Sequence, residues 1–277
     1  MVIDFAIIGA QKAGTTSLKS YLAQLDGVVT HPDRECPYFL AKEYREEPLK
    51  DRFPEPGEGD RILMKHVGLM DNPAAMERLK AHSPDVRVIL LVREPVARAI
   101  SAHRYAVRRG WEDRGELLNC LGSPNRIAGS YIDRGRYELW IPRVEAIFGA
   151  EHLYVDSLER LQAQPRLVMR LLCEWMGLVY EELDFKIRHN TAREARSQVI
   201  NRILQAPFPL RRRLRRLVPP VTRSRLRGWM QRLNERKPVR APAADSLLEQ
   251  SLRKEFSGTY LFMRERYPEL MKSWRTE

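Results

Sequence analysis

Apolar positions along this chain follow two alternating rhythms. Residues 3–8 form a continuous β-prone run that stops at Gly9, and after a short loop Leu18, Tyr21, Leu22 and Leu25 take up helical spacing. The order strand, tight loop, helix returns at Val86–Val92, a buried-strand run followed by Arg93, Glu94 and Pro95, and proline suits the first turn of a helix. Ile62-Leu63-Met64 and His152-Leu153-Tyr154-Val155 predict two more strands, while segments 137–148 and 164–176 carry helical apolar spacing. Strands alternating with helices predict an α/β fold whose parallel sheet is covered on both faces. The Pro-, Gly- and acid-rich stretch 52–60 reads as an exposed loop. Residues 195–277 read as helices and loops broken by Pro207, Pro209, Pro219, Pro220, Pro238 and Pro242. There is no internal repeat.

Composition narrows this picture. A charged fraction of 30% and a hydrophobic fraction of 43% are those of a globular protein, and no stretch approaches the roughly 20 apolar residues of a membrane span. The length of 277 residues fits one elaborated domain, with an α/β core over 1–195 and a helical, basic extension over 196–277. Cys36, Cys120 and Cys173 are widely spaced and odd in number, which matches no disulfide framework and points to a reducing, cytoplasmic setting. The opening apolar run carries Asp4 and lacks a basic flank, so it reads as a first strand and not as a signal peptide.

The net charge of +12 is concentrated. Residues 211–240 hold eleven Arg and one Lys against Glu235 alone, and interleave them with Leu210, Leu214, Leu217, Leu226, Trp229, Met230 and Leu233. A solvated basic face is the plain reading of this amphipathic pattern. A functional one is contact with an anionic membrane surface or an anionic, lipid-linked acceptor. Nucleic acid is not favoured as a partner, because the excess is confined to one segment.

The loop Gly9-Ala10-Gln11-Lys12-Ala13-Gly14-Thr15-Thr16 lies between a strand and a helix start, where free N–H groups and the helix dipole attract an anion. Gly14 lets the backbone approach, Thr15 and Thr16 add hydroxyls, and Lys12 adds an ammonium. The loop is P-loop-like, but a Walker A loop requires Lys directly after its second Gly, and here Thr15 follows Gly14.

With its lysine thus displaced, Ile-Ile-Gly-Ala-Gln-Lys-Ala-Gly-Thr-Thr-Ser-Leu resembles the 5'-phosphosulfate loop of the sulfotransferases that use 3'-phosphoadenosine-5'-phosphosulfate (PAPS). Arg93-Glu94-Pro95-Val96-Ala97-Arg98-Ala99-Ile100-Ser101 fits that family's second pattern, Arg-x-Pro-x-x-Arg-x-x-Ser, at every position. The resemblance runs on through Gly135-Arg136-Tyr137 and Trp175-Met176-Gly177-Leu178 to the terminal Tyr-Pro-Glu-Leu-Met-Lys-Ser-Trp. It is nearest the bacterial carbohydrate and natural-product members, themselves similar to the heparan sulfate enzymes.

The resemblance implies a three-layer fold, a central parallel sheet flanked by helices, with a helical C-terminal region. It implies PAPS as co-substrate, adenosine 3',5'-bisphosphate as product and no metal. Lys12, Ala13, Gly14, Thr15 and Thr16 would bind the phosphosulfate, and Arg93 and Ser101 the 3'-phosphate. Arg193, in a loose match with His189, Asn190 and Arg196, would close over the nucleotide. Arg34-Glu35-Cys36-Pro37-Tyr38-Phe39 stands where the family has Lys-Glu-Pro-His-Phe-Phe, which makes Glu35 the expected general base. Lys65 takes the place of the lysine in Glu-Lys-Ser/Thr-Pro and joins Lys12 among the expected catalytic residues. Met64, His66 and Val67 depart from that pattern and hint at a different acceptor.

The acceptor expected is a hydroxyl or amine of a small molecule, glycan or lipid. His31, His66 and His103 are rival bases. A P-loop nucleotide kinase and a non-catalytic nucleotide- or nucleic-acid-binding protein are the alternatives. A zinc site at Cys36 with His31 or His66 lacks a fourth ligand.

Overall fold

The computed structural model describes residues 1–40, 48–109, 117, 131–186, 194–195, 235–236 and 246–274. The chain divides into two compact units. One comprises Met1–Ala99, Ser130–His189 and Leu252–Glu277, and the other Ile100–Gly129 and Asn190–Ser251.

The first unit is built on a five-stranded parallel sheet. Its strands are β1 (Phe5–Gly9), β2 (Val28–Thr30), β3 (Arg61–Lys65), β4 (Arg87–Val92) and β5 (Leu153–Ser157), in the order β2-β3-β1-β4-β5. Alternation along the strands divides two cores. Ala6 and Ile8 of β1, Ile62 and Met64 of β3, and Val88, Leu90 and Val92 of β4 face one core. Phe5, Ile7, Leu63, Ile89 and Leu91 face the other. With both faces covered, β4 is apolar at every position after Arg87.

Helices α1 (Thr15–Leu22), α2 (Pro73–His82), α3 (Pro95–Arg109), α4 (Tyr137–Phe148), α5 (Leu158–Ala163) and α6 (Pro165–Met176) follow in chain order. α2 and α4 bring Met76, Leu79, Ile141 and Val144 to the Ala6 face. α1 and α6 bring Leu18, Leu22, Met169 and Leu172 to the Phe5 face. Neighbouring strands β1 and β3 therefore send their following helices to opposite faces. That is the arrangement in which a crevice opens at the carboxyl ends of parallel strands.

The sequence did not announce β2, three residues at the sheet edge, or α2. The cue for α2 was present, because Asn72 accepts the Ala75 N–H at 3.1 Å and Pro73 fills the first helical position. Helices α7 (Ser246–Glu255), α8 (Ser257–Arg266) and α9 (Pro268–Met271) end the described chain, and Phe256, Met263, Leu270 and Trp274 are buried.

In the second unit the described residues are the continuation of α3, Leu117, the start of α7, and a two-residue antiparallel ladder of β6 (Glu194–Ala195) with β7 (Glu235–Arg236). No helix among the described residues is long and apolar enough to cross a membrane. Arg193, Cys120 and all of segment 211–240 except residues 235–236 lie outside the described residues.

Candidate active site

Three adjacent strands, β3, β1 and β4, deliver Lys65, the loop with Lys12, and Arg93 at their carboxyl ends. Ile7 pairs with Lys65 and Gly9 with Leu90, so Lys65, the loop after Gly9, and Arg93 emerge side by side.

The loop is drawn tight against its neighbours. Ala10 donates its N–H to the Leu91 carbonyl at 2.7 Å, and Gln11 Oε1 accepts from Arg134 Nη1 at 3.0 Å. Arg134 is fixed in turn by Asp71 at 2.6 Å. Lys12 has a φ of 73° and Gly14 a φ of 82°, so two residues of the turn lie in the left-handed region. At Gly14 an added Cβ would stand 2.5 Å from Leu158 Cδ1, so glycine is required there by conformation and by space. Helix α1 starts at Thr15 with no side-chain cap and no acid in its first turn. Its first N–H groups and the positive end of its dipole are open to an anion instead.

Arg93 joins this loop. Its Nη1 donates to the Lys12 carbonyl at 3.2 Å, and Glu159 lies 4.0 Å from its Nε. The Tyr137 hydroxyl clamps the Arg93 backbone at both ends, accepting its N–H at 3.1 Å and donating to its carbonyl at 2.8 Å. Glu94 caps α3, accepting from Val96 N–H at 3.1 Å and Ala97 N–H at 2.5 Å. Arg98 turns inward, is fully buried and donates to the Tyr131 carbonyl, and burial lowers it to about 10. Ser101 lies on α3, in the second unit.

Glu35 and Lys65 meet. Lys65 Nζ donates to Glu35 Oε1 at 2.5 Å and to the Arg34 carbonyl at 3.0 Å, and the Val67 N–H donates to Glu35 Oε2 at 3.1 Å. The Cys36 N–H reaches the Lys65 carbonyl at 2.9 Å, so the segment after β2 is stitched to the end of β3. The Lys65 side chain is wholly buried and the Glu35 side chain 29% exposed, so only the carboxylate has access to a bound molecule. Burial pulls the Lys65 ammonium below its usual value, against the pull of the Glu35 carboxylate.

The three rival histidines part company here. His31 is 1% exposed, takes the Lys65 N–H on Nε2 at 3.1 Å, and is lowered to about 4 by burial and then by Lys19 and Lys65. Its proton inventory is committed to structure. His66 accepts the Gly68 N–H on Nδ1 at 3.0 Å, and burial lowers it as well. His103 lies on α3 in the second unit. Among the described residues no group of three or more His, Cys, Asp or Glu is placed to hold a metal ion.

Sequence reading missed Lys19, Arg134 and Tyr137 as parts of this region. Lys19 carried a signal, because it sits one turn from Thr15 and from Leu22 on the face of α1 that those buried residues define.

The uncapped α1 and the guanidinium tied to its loop are the features of this region suited to an anion. No family model matches the chain. It is 24% identical over 218 residues to the bifunctional heparan sulfate N-deacetylase/N-sulfotransferase 1 of Caenorhabditis briggsae, covering 72% of this chain and 25% of that protein. It is 28% identical over 186 residues to the heparan sulfate glucosamine 3-O-sulfotransferase 3A1 of Mus musculus, covering 62% of this chain and 45% of that protein. The chain thus spans a quarter to under half the length of these curated relatives. Among solved structures, a sulfotransferase from Alicyclobacillus acidocaldarius superposes with a TM-score of 0.60 at 22% identity, covering 74% of this chain and 90% of that one. The sulfotransferase domain from the curacin biosynthetic pathway gives 0.51 at 16% identity, covering 69% and 79%. Likeness at that identity shows the fold.

Proposed function

We propose, from the premise that this chain is a sulfotransferase-family protein, that it transfers a sulfuryl group from PAPS to a hydroxyl or amine of an acceptor, with Glu35 as general base. The observation that carries this is the Glu35–Lys65 contact of 2.5 Å at the carboxyl edge of the sheet, next to the phosphate loop. A carboxylate held by one buried ammonium and one backbone N–H, with part of its surface open, is placed to take a proton from a bound nucleophile.

Each residue has a task in this reading. The N–H groups of Gly14, Thr15 and Thr16, with the Lys12 ammonium and the Thr hydroxyls, hold the phosphosulfate end of the co-substrate, and Ala13, whose N–H donates to the Ala10 carbonyl at 3.2 Å, shapes the loop around it. Arg93, Ser101 and Arg193 hold the nucleotide, Arg93 and Ser101 at its 3'-phosphate. Bound there, the co-substrate supplies an activated sulfuryl group. Glu35 takes the acceptor proton as the bond from acceptor oxygen or nitrogen to sulfur forms. The bond from sulfur to the bridging phosphate oxygen breaks, and its electron pair leaves with adenosine 3',5'-bisphosphate. Lys65 steadies the Glu35 carboxylate, and Lys12 offsets charge on the departing oxygen.

Both relatives are named for heparan sulfate, one as an N-sulfotransferase and one as a glucosamine 3-O-sulfotransferase, which favours a glycan hydroxyl or amine among the acceptor classes. His66 and Val67, on the Glu35 side of the loop after β3, differ from the family pattern and favour an acceptor of other shape. The test is release of bisphosphate from PAPS in the presence of a panel of glycans, hydroxylated lipids and phenols, with no added metal. Turnover that depends on one acceptor class and vanishes in Glu35→Gln supports the reading. Absence of turnover across the panel, together with ATP hydrolysis on adding Mg²⁺, would replace it with a nucleotide kinase.

A further inference from the structure

The Glu35–Lys65 pair leans on a second couple that sulfuryl transfer itself does not use. Lys19 of α1 is 8% exposed and His31, which follows β2, is 1% exposed. Lys19 Nζ has three contacts: the carbonyl oxygen of His31, the carbonyl oxygen of Asp33 at 2.7 Å, and His31 Nδ1 at 3.3 Å. The other ring nitrogen, Nε2, takes the backbone N–H of Lys65 at 3.1 Å.

Counting donors and acceptors fixes the His31 tautomer. A backbone N–H only donates, so Nε2 must keep its lone pair, and the hydrogen of the neutral imidazole sits on Nδ1. That Nδ1–H then faces Lys19 Nζ. An ammonium offers three N–H and no lone pair, whereas an uncharged amine offers two N–H and one lone pair. Two carbonyls and one N–H donor are the partners of an amine. With Lys19 as an ammonium, its third N–H competes for the Nδ1 lone pair against a ring hydrogen that also has the Asp33 backbone beside it, and where the ammonium wins the ring hydrogen moves to Nε2 and opposes the Lys65 N–H.

Burial and the Lys65 charge favour the amine, while Glu35, Asp33 and Cys36 favour the ammonium. Lys65, Glu35, Asp33 and Cys36 act on Lys19, and Lys65 holds the Glu35 carboxylate at 2.5 Å for itself. The contacts of Lys19 with Asp33 run through the backbone carbonyl. Burial first, and Lys65 second, lower Lys19 to about 8. Around His31 stand Lys19, Lys65, the Asp33 backbone and the edge-on ring of Phe53, at 5.6 Å between ring centres.

We propose that Lys19 and His31 form a positioning couple for the catalytic pair, keeping Lys65 hydrogen-bonded through its backbone, and Glu35 with it, only while Lys19 is an uncharged amine. The proposal rests on the reading of Glu35 and Lys65 given above. It makes turnover rise as Lys19 loses its proton, with donor affinity unchanged.

Two measurements on the full chain test it. The first is NMR of ring-¹⁵N-labelled histidine and ¹³Cε-labelled lysine, with signals assigned by His31→Asn and Lys19→Met. Above the Lys19 transition, His31 is expected to carry its hydrogen on Nδ1, and Lys19 to titrate near 8 instead of 10.5. A His31 hydrogen on Nε2, or a Lys19 still charged at the top of that range, would overturn the proposal without any activity measurement. The second is the pH profile of kcat for Lys19→Arg, a permanent cation. It should fall about 2- to 10-fold on the alkaline side, the equivalent of one ordinary hydrogen bond, with bisphosphate affinity unchanged. A profile superimposable on that of the unaltered protein would count against the couple. Bisphosphate binding by the unaltered protein is measured on the same samples. Its absence would sink the sulfotransferase reading and with it the couple's role in turnover, whereas the wrong tautomer with bisphosphate bound would sink only the couple.

Discussion

Glu35 accepts hydrogen bonds from two groups 30 and 32 positions along the chain, and that convergence distinguishes it from an ordinary loop carboxylate. Glu35→Gln should lower turnover by about 10²- to 10⁴-fold, the usual contribution of a positioned base, with unchanged affinity for adenosine 3',5'-bisphosphate. Retention of full activity would move the base elsewhere. Lys19 carries a consequence for stability too. Its folded value of about 8 lies below the unfolded 10.5, so between those values the unfolded chain binds more protons and stability rises with pH. Denaturant titrations from pH 7.5 to 10.5 should therefore show the unaltered protein gaining stability relative to Lys19→Met, and a constant difference would contradict the assignment. At this scale the sequence was uneven. The aromatic pair Tyr38-Phe39 fixed the register of Glu35 in the motif, and the pair is buried as an aromatic after a catalytic loop would be. Lys65 was legible only as a position, because its departures at Met64 and His66 hid a contact made by folding. Lys19 was not singled out, because its helical spacing shows only the buried face, and three contacts around one nitrogen reveal its state.

Among the elements, the turn from β1 into α1 is the most demanding. Gly14→Ala would force a left-handed residue, costing roughly 1–2 kcal/mol, and would press a methyl group against Leu158. The expected result is a lower denaturation midpoint together with weaker bisphosphate binding, and an unchanged midpoint would mean the turn is looser than its contacts imply. Arg93→Ala removes both a charged donor and the tie to the Lys12 carbonyl. It should weaken bisphosphate binding by about 10- to 100-fold, the loss of one or two hydrogen bonds to a charged group. The buried strands and their following helices were legible because two covered faces leave long apolar runs, as in β4. The edge strand β2 was not, since three residues give no period to read, and its place comes from pairing with β3.

At the level of the molecule, the Lys12 loop and the Arg93 end lie 81 residues apart along the chain, and the pairing of β1 with β4 in the parallel sheet brings them together. Spacing along the chain could suggest that meeting but not supply the distance. The concentrated charge of segment 211–240 belongs to the same account as a proposed docking region for an anionic or lipid-linked acceptor. Co-sedimentation with vesicles should increase with the share of anionic lipid and fall as salt rises, and indifference to lipid charge would remove the membrane from the proposal. The account as a whole turns on a nucleotide carrying a 3'-phosphate. Calorimetric titration of the metal-free protein with adenosine 3',5'-bisphosphate, AMP and ATP addresses that directly. The bisphosphate should bind in clear preference to both others and lose that preference in Arg93→Ala, whereas preference for ATP, strengthened by Mg²⁺, would contradict the sulfotransferase reading.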